Sequence, residues 1–385
     1  MGTTEAEASP IPKEEVTSGA AADYDRKREL KQFDDTKAGV KGIVDAGVTT
    51  IPRFFHFPAS LLTFRPATTS PSLSIPIIDL SLPRPRAVQL VTAAAREWGF
   101  FQVINHSVPL NHISAVLSAV KAFNELPTEA KAAYYTHDQT RGFAFNTNFD
   151  LYKTGAASWK DTVRVVTAPT PPDPAVIPEV CREELLAWDQ TARGLAARLM
   201  GLLSEGLGVE AGRLQGLSCL EMRAVLGHYY PYCPQPELTL GVVAHTDPTA
   251  LTVLVQNEVG GLLIKKGSVF DDGEWFEIDP VPGAIIINIG DILQIISNDE
   301  YKSAEHKVIA NPRQTPRISV VVFCVPGKTD DSTYYGPLPE LVSKEKPARY
   351  RQFTMSEFRR LMFGRVQGVN SVLCGFKVEE PHSSP

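Results

Sequence analysis

Between about Arg223 and Pro326 the chain is written in short β-branched and aromatic runs, cut by Gly, Pro, Asn or Asp every six to twelve residues. The runs are RAVLGHYYP, LGVVAHTD, ALTVLVQN, GLLIKK, EWFEID, AIIINIGD, ILQIISN, AEHKVIA and RISVVVFCVP. That texture predicts an all-β sandwich or barrel. About eight antiparallel strands can close as a double-sheet jelly roll, which leaves a mouth where a ligand can sit. Gly260 and Gly261 read as hairpin-turn residues rather than a phosphate loop, because no Lys-Ser/Thr follows them.

Upstream the texture is mixed. Residues 1–22 are rich in Ala, Ser, Thr and Glu without an apolar period and read as a disordered tail, and RPATTSPSLSIP reads as a linker or surface loop. A short strand is expected at Ile77–Leu80, a helix at about Arg86–Trp98, a strand in GFFQVINH and a helix at about Leu110–Asn124. From Arg182 to Leu207 the apolar positions Trp188, Ala192, Leu195, Leu199 and Leu202 step by four, three, four and three, the period of one helical face packed on a core. Thr354 and Glu357 form a capping box that opens a helix in MSEFRRLMF. The expected class is α+β with a mainly β core. The divisions are a tail (1–22), a mixed α/β amino-terminal domain (23–210), a jelly-roll catalytic domain (211–345) and a carboxy-terminal helix and tail (346–385).

A net charge of −6, with Lys and Arg scattered, offers no basic stripe for nucleic acid. Glu5, Glu7, Glu14 and Glu15 argue against a secretory or transit leader, and no run of about eighteen apolar residues suits a membrane span. Five widely spaced cysteines without a C-x-x-C fit reduced thiols, so a cytoplasmic location is expected.

The chemistry starts in AHTDPTALTVLVQ. Alternation along a strand puts His245 and Asp247 on one face, and Arg317 and Ser319 of RISVVVF on one face likewise. His306 follows in SAEHKV. H-x-D alone is weak, since surface or capping roles account for most such pairs. Two His and a carboxylate on one side of a metal are the facial triad of non-haem Fe(II) oxygenases, and the absence of thiolate argues against structural zinc. An inward guanidinium needs an anion; Arg317 matches a carboxylate bidentately and Ser319 adds a hydroxyl, with an internal salt bridge as the structural alternative. His106 reads as a strand-end residue bonded to backbone.

HYYPYCPQPELTLG, HTDPTALTVLVQ, GDILQIISNDEYKSAEHKV and PRISVVVF, with IPIIDL and GFFQVINHSVP upstream, together resemble the plant Fe(II)- and 2-oxoglutarate-dependent dioxygenases. The segment RELKQFDDTKAGVKGIVDAGVTTIPRFF resembles the branch of 1-aminocyclopropane-1-carboxylate oxidase homologues, which includes hydroxylases of alkaloids and benzoxazinoid glucosides. The resemblance implies a double-stranded β-helix wrapped by helices, with His245, Asp247 and His306 as iron ligands. It implies Arg317, Ser319 and Tyr230 around the distal carboxylate of 2-oxoglutarate, and Phe323, Phe149, Trp159 and Thr162 near the substrate. Many relatives carry Asn where this chain has His228, whose role stays open between cosubstrate contact and structure. Implied too are O2 as cosubstrate, ascorbate as reductant, and a monomer acting on a small molecule. The activity would be hydroxylation or O-demethylation of a specialised plant metabolite through a ferryl intermediate, releasing succinate and CO2. An ascorbate-dependent oxidase and a non-catalytic jelly-roll binding protein are the alternatives.

Overall fold

The computed structural model describes residues 24–62, 74–266, 273–327, 331–364 and 371–378. The expected tail and most of the expected linker lie outside them. Twelve strands position the site: β1 (Ile77–Asp79), β2 (Phe100–Ile104), β3 (Phe143–Asn146), β4 (Asp161–Ala168), β5 (Met222–Tyr230), β6 (Leu240–His245), β7 (Leu251–Gln256), β8 (Leu262–Lys265), β9 (Trp275–Glu277), β10 (Ile285–Ile289), β11 (His306–Ile309) and β12 (Arg317–Val325). They form an eight-stranded sheet, β1-β2-β10-β7-β12-β5-β4-β3, and a four-stranded sheet, β6-β11-β8-β9. Only the β1–β2 pair is parallel in these two sheets. Four strands from before residue 211 therefore extend the large sheet, more than the barrel texture alone predicts.

Alternation gives the large sheet two different faces. Ile318, Val320, Val322 and Cys324 of β12 share the main core with Val116 and Val120 of the helix Leu110–Asn124 and with Leu195 and Leu199 of the helix Glu179–Gly206. Packing there is close: a Cβ at Gly227 would lie 2.4 Å from a Val120 methyl. Val321 of β12 belongs instead to a second core with Tyr230, Leu254 and Ile286, closed from the small sheet by Leu262, Ile264 and Val308. Each fully buried aliphatic side chain contributes about 1.5–3 kcal/mol, so both faces are held by substantial apolar burial. All five stripe residues of the long helix are buried. Its buried Asp189 takes a bidentate pair from Arg223 of β5, both bonds 2.8 Å, and a hydroxyl from Thr167 at 2.7 Å.

Asp161 anchors the amino-terminal segment. Its two carboxylate oxygens accept the Val40 and Lys41 N–H groups, each at 2.8 Å, at the start of the helix Gly39–Asp45. Gly39 enters that turn at φ 71°, and a Cβ there would sit 2.5 Å from the Asp161 carboxylate. At the other end Thr354 Oγ accepts the Glu357 N–H and starts the helix Met355–Phe363, as the capping box requires.

Two expectations need correction. ILQIISN is not a strand: Asp291–Ile296 is a helix whose six residues are all buried. A short run apolar on every side has no period, so burial alone cannot separate strand from helix. Gly260 and Gly261 do not close a hairpin. They stand at φ 80° and 92° in the crossing from β7 in the large sheet to β8 in the small one. Among the described residues no helix is long and apolar enough to cross a membrane.

Candidate active site

β6 ends on His245 and β11 begins on His306, and the register of the small sheet sets these two residues directly opposite each other. Asp247 follows β6 by two residues. Its Oδ1 lies 3.6 Å from His245 Nε2 and 3.7 Å from His306 Nε2, and one donor atom from each residue falls within 4.8 Å of the others. Every other polar side-chain atom of the three is occupied. His245 Nδ1 donates to the Val243 carbonyl at 2.8 Å and His306 Nδ1 to the Ala304 carbonyl at 3.2 Å. A carbonyl only accepts, so Nδ1 carries a proton and Nε2 is the ring nitrogen left to face a metal. Asp247 Oδ2 accepts from Thr252 Oγ at 2.6 Å and from Asn288 Nδ2 at 2.7 Å, which leaves Oδ1 unused. The Asp291 N–H donates to the Asp247 carbonyl at 2.8 Å, so the short buried helix braces the carboxylate's own backbone. Phe100 sets its ring edge-on to His306 with centroids 5.0 Å apart.

Burial, with His306 alongside, pushes the His245 imidazole down to about 4 against the pull of Asp247. Burial works to raise the Asp247 pKa, but His306, His245 and its two hydrogen bonds outweigh it and hold the carboxyl below its ordinary value. At neutral pH the His245 imidazole is therefore neutral and the Asp247 carboxylate ionised. Two nitrogens and one oxygen without thiolate are a donor set suited to Fe(II).

Arg317 is 1% exposed. Its Nε donates to the Gly260 carbonyl and its Nη2 to Gln256 Oε1, both at 2.7 Å, while Nη1 is buried without a partner. The Gly260 and Gly261 crossing thus serves the site by bringing a carbonyl to the guanidinium. Among the described residues no carboxylate forms an ion pair with Arg317, which removes the internal salt-bridge reading. Burial pulls its pKa down, partly countered by Tyr230 and Glu277. The guanidinium lies 4.9 Å over the Tyr230 ring, and Tyr230 and Ser319 join their hydroxyls. A buried unpaired N–H beside two hydroxyls fits the carboxylate of 2-oxoglutarate.

The inner face of the large sheet separates the remaining candidates. Ser319 pairs with His228, and His228 with Thr162, whose hydroxyl meets His228 Nδ1 at 3.0 Å. Phe323 pairs with Thr252 and packs half-buried on the second core. Thr162 and Phe323 therefore share the face of the triad's support. Trp159 does not: it is fully buried on the opposite side, edge-on to Phe55 at 4.8 Å, and its Nε1 donates to the Tyr232 carbonyl. Phe149 stands on the surface, 59% exposed. Burial first, then the charges of Lys160, Arg317 and His245, drive the His228 pKa well below its ordinary value, so this ring is neutral. His106 is structural, with Nε2 to the Gly283 carbonyl and Nδ1 to the Val108 N–H. Sequence reading missed Thr252, Asn288 and Gln256. Their signal is alternation: Thr252 and Gln256 share one parity along β7, but which parity faces the site is set by register.

Residues 222–326 match the 2OG-Fe(II) oxygenase superfamily, and residues 75–184 match the family described as non-haem dioxygenase in morphine synthesis N-terminal. The chain is 41% identical over 345 residues to 1-aminocyclopropane-1-carboxylate oxidase homolog 1 of Arabidopsis thaliana, covering 88% of this chain and 93% of that relative. Homolog 9 of the same plant is 43% identical over 347 residues, with 88% and 93% covered. Among solved structures, JOX2 in complex with 2OG, Fe and JA superposes with a TM-score of 0.75 at 30% identity, covering 89% of this chain and 98% of that one. A dioxygenase for auxin oxidation in rice gives 0.65 at 26% identity, covering 79% and 100%. The chain belongs to the 2OG-Fe(II) oxygenase superfamily and is an Fe(II)/2-oxoglutarate-dependent dioxygenase. Within that superfamily its place is with the 1-aminocyclopropane-1-carboxylate oxidase homologues.

Proposed function

We propose that His245, Asp247 and His306 hold the iron, that Arg317, Ser319 and Tyr230 hold the distal carboxylate of 2-oxoglutarate, and that the enzyme hydroxylates or O-demethylates a small specialised plant metabolite. The observation that carries the reading is the convergence of His245 Nε2, His306 Nε2 and Asp247 Oδ1 while every other polar side-chain atom of the three is engaged. Bound iron with 2-oxoglutarate supplies the oxygen-activating chemistry. The chain supplies geometry. Thr252 and Asn288 orient the carboxylate, and the Val243 and Ala304 carbonyls orient the rings. The unpaired Arg317 Nη1 supports a need for a carboxylate cosubstrate over an oxidase that runs on ascorbate alone; ascorbate then serves as reductant. Phe323 and Thr162 face the reacting substrate.

The test is aerobic incubation with Fe(II), 2-oxoglutarate, ascorbate and a plant metabolite extract, read by mass spectrometry. Features gaining one oxygen or losing CH2, with matching succinate, are expected. An unchanged extract with succinate at the uncoupled background would sink the reading.

A further inference from the structure

The corner between β10 and the buried helix Asp291–Ile296 is laid against the chain that carries His245 and Asp247. Gly290, Asp291 and Ile292 donate their N–H groups to the carbonyls of Ala250, Asp247 and Thr249 at 3.1, 2.8 and 3.0 Å. The approach is so close that a Cβ at Gly290 would fall 2.1 Å from the Thr249 carbonyl oxygen. Inside this corner the Asp291 side chain is fully buried, and its Oδ2 accepts the Thr246 hydroxyl at 3.0 Å. Thr246 stands between His245 and Asp247 and is itself buried; its side chain runs to Asp291 while theirs converge on the candidate metal position. The same Oδ2 takes two donors from the far end of the chain, the Ser371 hydroxyl at 3.3 Å and the Val372 N–H at 3.4 Å. That segment has its own anchorage, since Leu373 and Phe376 lie in the main core and the Phe376 carbonyl accepts the Arg351 N–H at 2.9 Å. Gln294 of the same helix serves the approach to His306: it accepts the Ser303 N–H at 2.5 Å and donates to the Tyr350 hydroxyl at 3.2 Å.

A carboxylate held out of water needs its hydrogen bonds, and donors that share one oxygen do not act independently. Here the shared oxygen joins the turn between two candidate ligands to a carboxy-terminal segment that lies beyond residue 326, where the oxygenase match ends. We infer that Asp291 is a positioning residue for the iron site and that residues 371–378 belong to the same support, so that their seating raises iron affinity; this rests on the functional reading above. Asp291 acts through the backbone. Its N–H holds the Asp247 carbonyl and its carboxylate holds Thr246, so both ligand side chains start from a fixed turn. Linkage is reciprocal: bound iron stabilises the seating of the segment by as much as the seating favours iron.

The test is anaerobic Fe(II) binding to the full chain, measured by calorimetry, with a cooperative melt to show that each variant is folded. Thr246→Val keeps the shape and removes the hydroxyl, and should raise the Kd about tenfold or more; Thr246→Ser, which keeps the hydroxyl, should recover most of that loss. Ser371→Ala, distant in the chain from every ligand, should raise the Kd about threefold, and it carries the test if Thr246→Val does not fold. The double variant should fall short of the product of the two single effects, because both donors share one oxygen. Fe(II) should also slow hydrogen exchange at the Val372 amide of the wild-type protein. Arg223→Leu, which loosens the fold away from the site, should leave the Kd as it is. A wild-type Kd in Ser371→Ala, or an equal rise in Arg223→Leu, overturns the inference and leaves the functional reading standing. Wild-type iron binding by Asp247→Ala defeats the functional reading, and the inference with it.

Discussion

His306 lies directly opposite His245 in the small sheet, and each ring is oriented the same way, by a hydrogen bond from Nδ1 to the carbonyl two residues earlier in its own chain. Strand pairing thus delivers two Nε2 atoms to one point, with a single anionic oxygen, Asp247 Oδ1, beside both. Asp247→Ala removes that charge and leaves only the two imidazole nitrogens. Iron binding, measured by calorimetry or by metal content after desalting, should fall below detection, and turnover with it. Chelation of the wild-type protein should likewise abolish turnover, and added Fe(II) should restore it.

Thr252 acts one step further out. Its hydroxyl reaches Asp247 Oδ2 at 2.6 Å from a strand of the other sheet. Thr252→Val preserves shape and removes the donor, and iron affinity should drop by about 10- to 100-fold with the fold intact. An unchanged Kd for Fe(II) would mean that Asn288 alone orients the carboxylate.

Arg317→Leu should raise the KM for 2-oxoglutarate about thirtyfold or more, the scale of losing a buried charge-assisted pair. Iron content should stay at the wild-type level. Loss of iron in this variant would show that the guanidinium supports the triad rather than the cosubstrate.

Protonation of His228 opposes folding. Its pKa in the folded chain lies well below the 6.5 of an exposed imidazole, so the folded state binds fewer protons than the unfolded one as pH falls through 6.5. The stability this ring contributes is complete above about pH 6.5 and is lost progressively as pH drops toward the folded pKa. His245, pushed down to about 4, adds to the same slope in the iron-free protein. His228→Asn should therefore flatten the decline of apo-protein melting temperature below pH 6.5. A profile identical to wild type would show that this ring is not held neutral.

Arg223 and Asp189 tie β5 to the long helix through a bidentate pair in which both side chains are buried. Arg223→Leu strands the Asp189 charge, and denaturant unfolding should show a loss of about 3–5 kcal/mol. A loss under about 1 kcal/mol would mean that the Thr167 hydroxyl is enough to hold the carboxylate.

Most strands were legible because alternating β-branched runs with turn punctuation have few other ways to bury themselves; β5, β7 and β12 fall where that texture puts them. The long helix was legible from its stripe. ILQIISN was not, because Asp291–Ile296 is buried on all sides and shows no period. The pocket candidates show the same difficulty at single-residue resolution. Trp159 carries the conspicuous side chain, yet it packs on Phe55, while Thr162 of β4 is the one whose hydroxyl meets His228 on the inner face, and which parity of a strand faces the site is set by register.

The amino-acid sequence by itself determined the side-chain types of the candidate site, the H-x-D and R-x-S pairs that each share a face, and the β texture that carries them. Those are local properties, set by side-chain chemistry and the two-residue period of a strand. Only the tertiary structure decided that His306 meets His245, that Thr252 and Asn288 complete Asp247, and that Thr162, His228 and Ser319 stand in one row. These relationships depend on register between strands far apart in the chain, and register comes from how the two sheets pack.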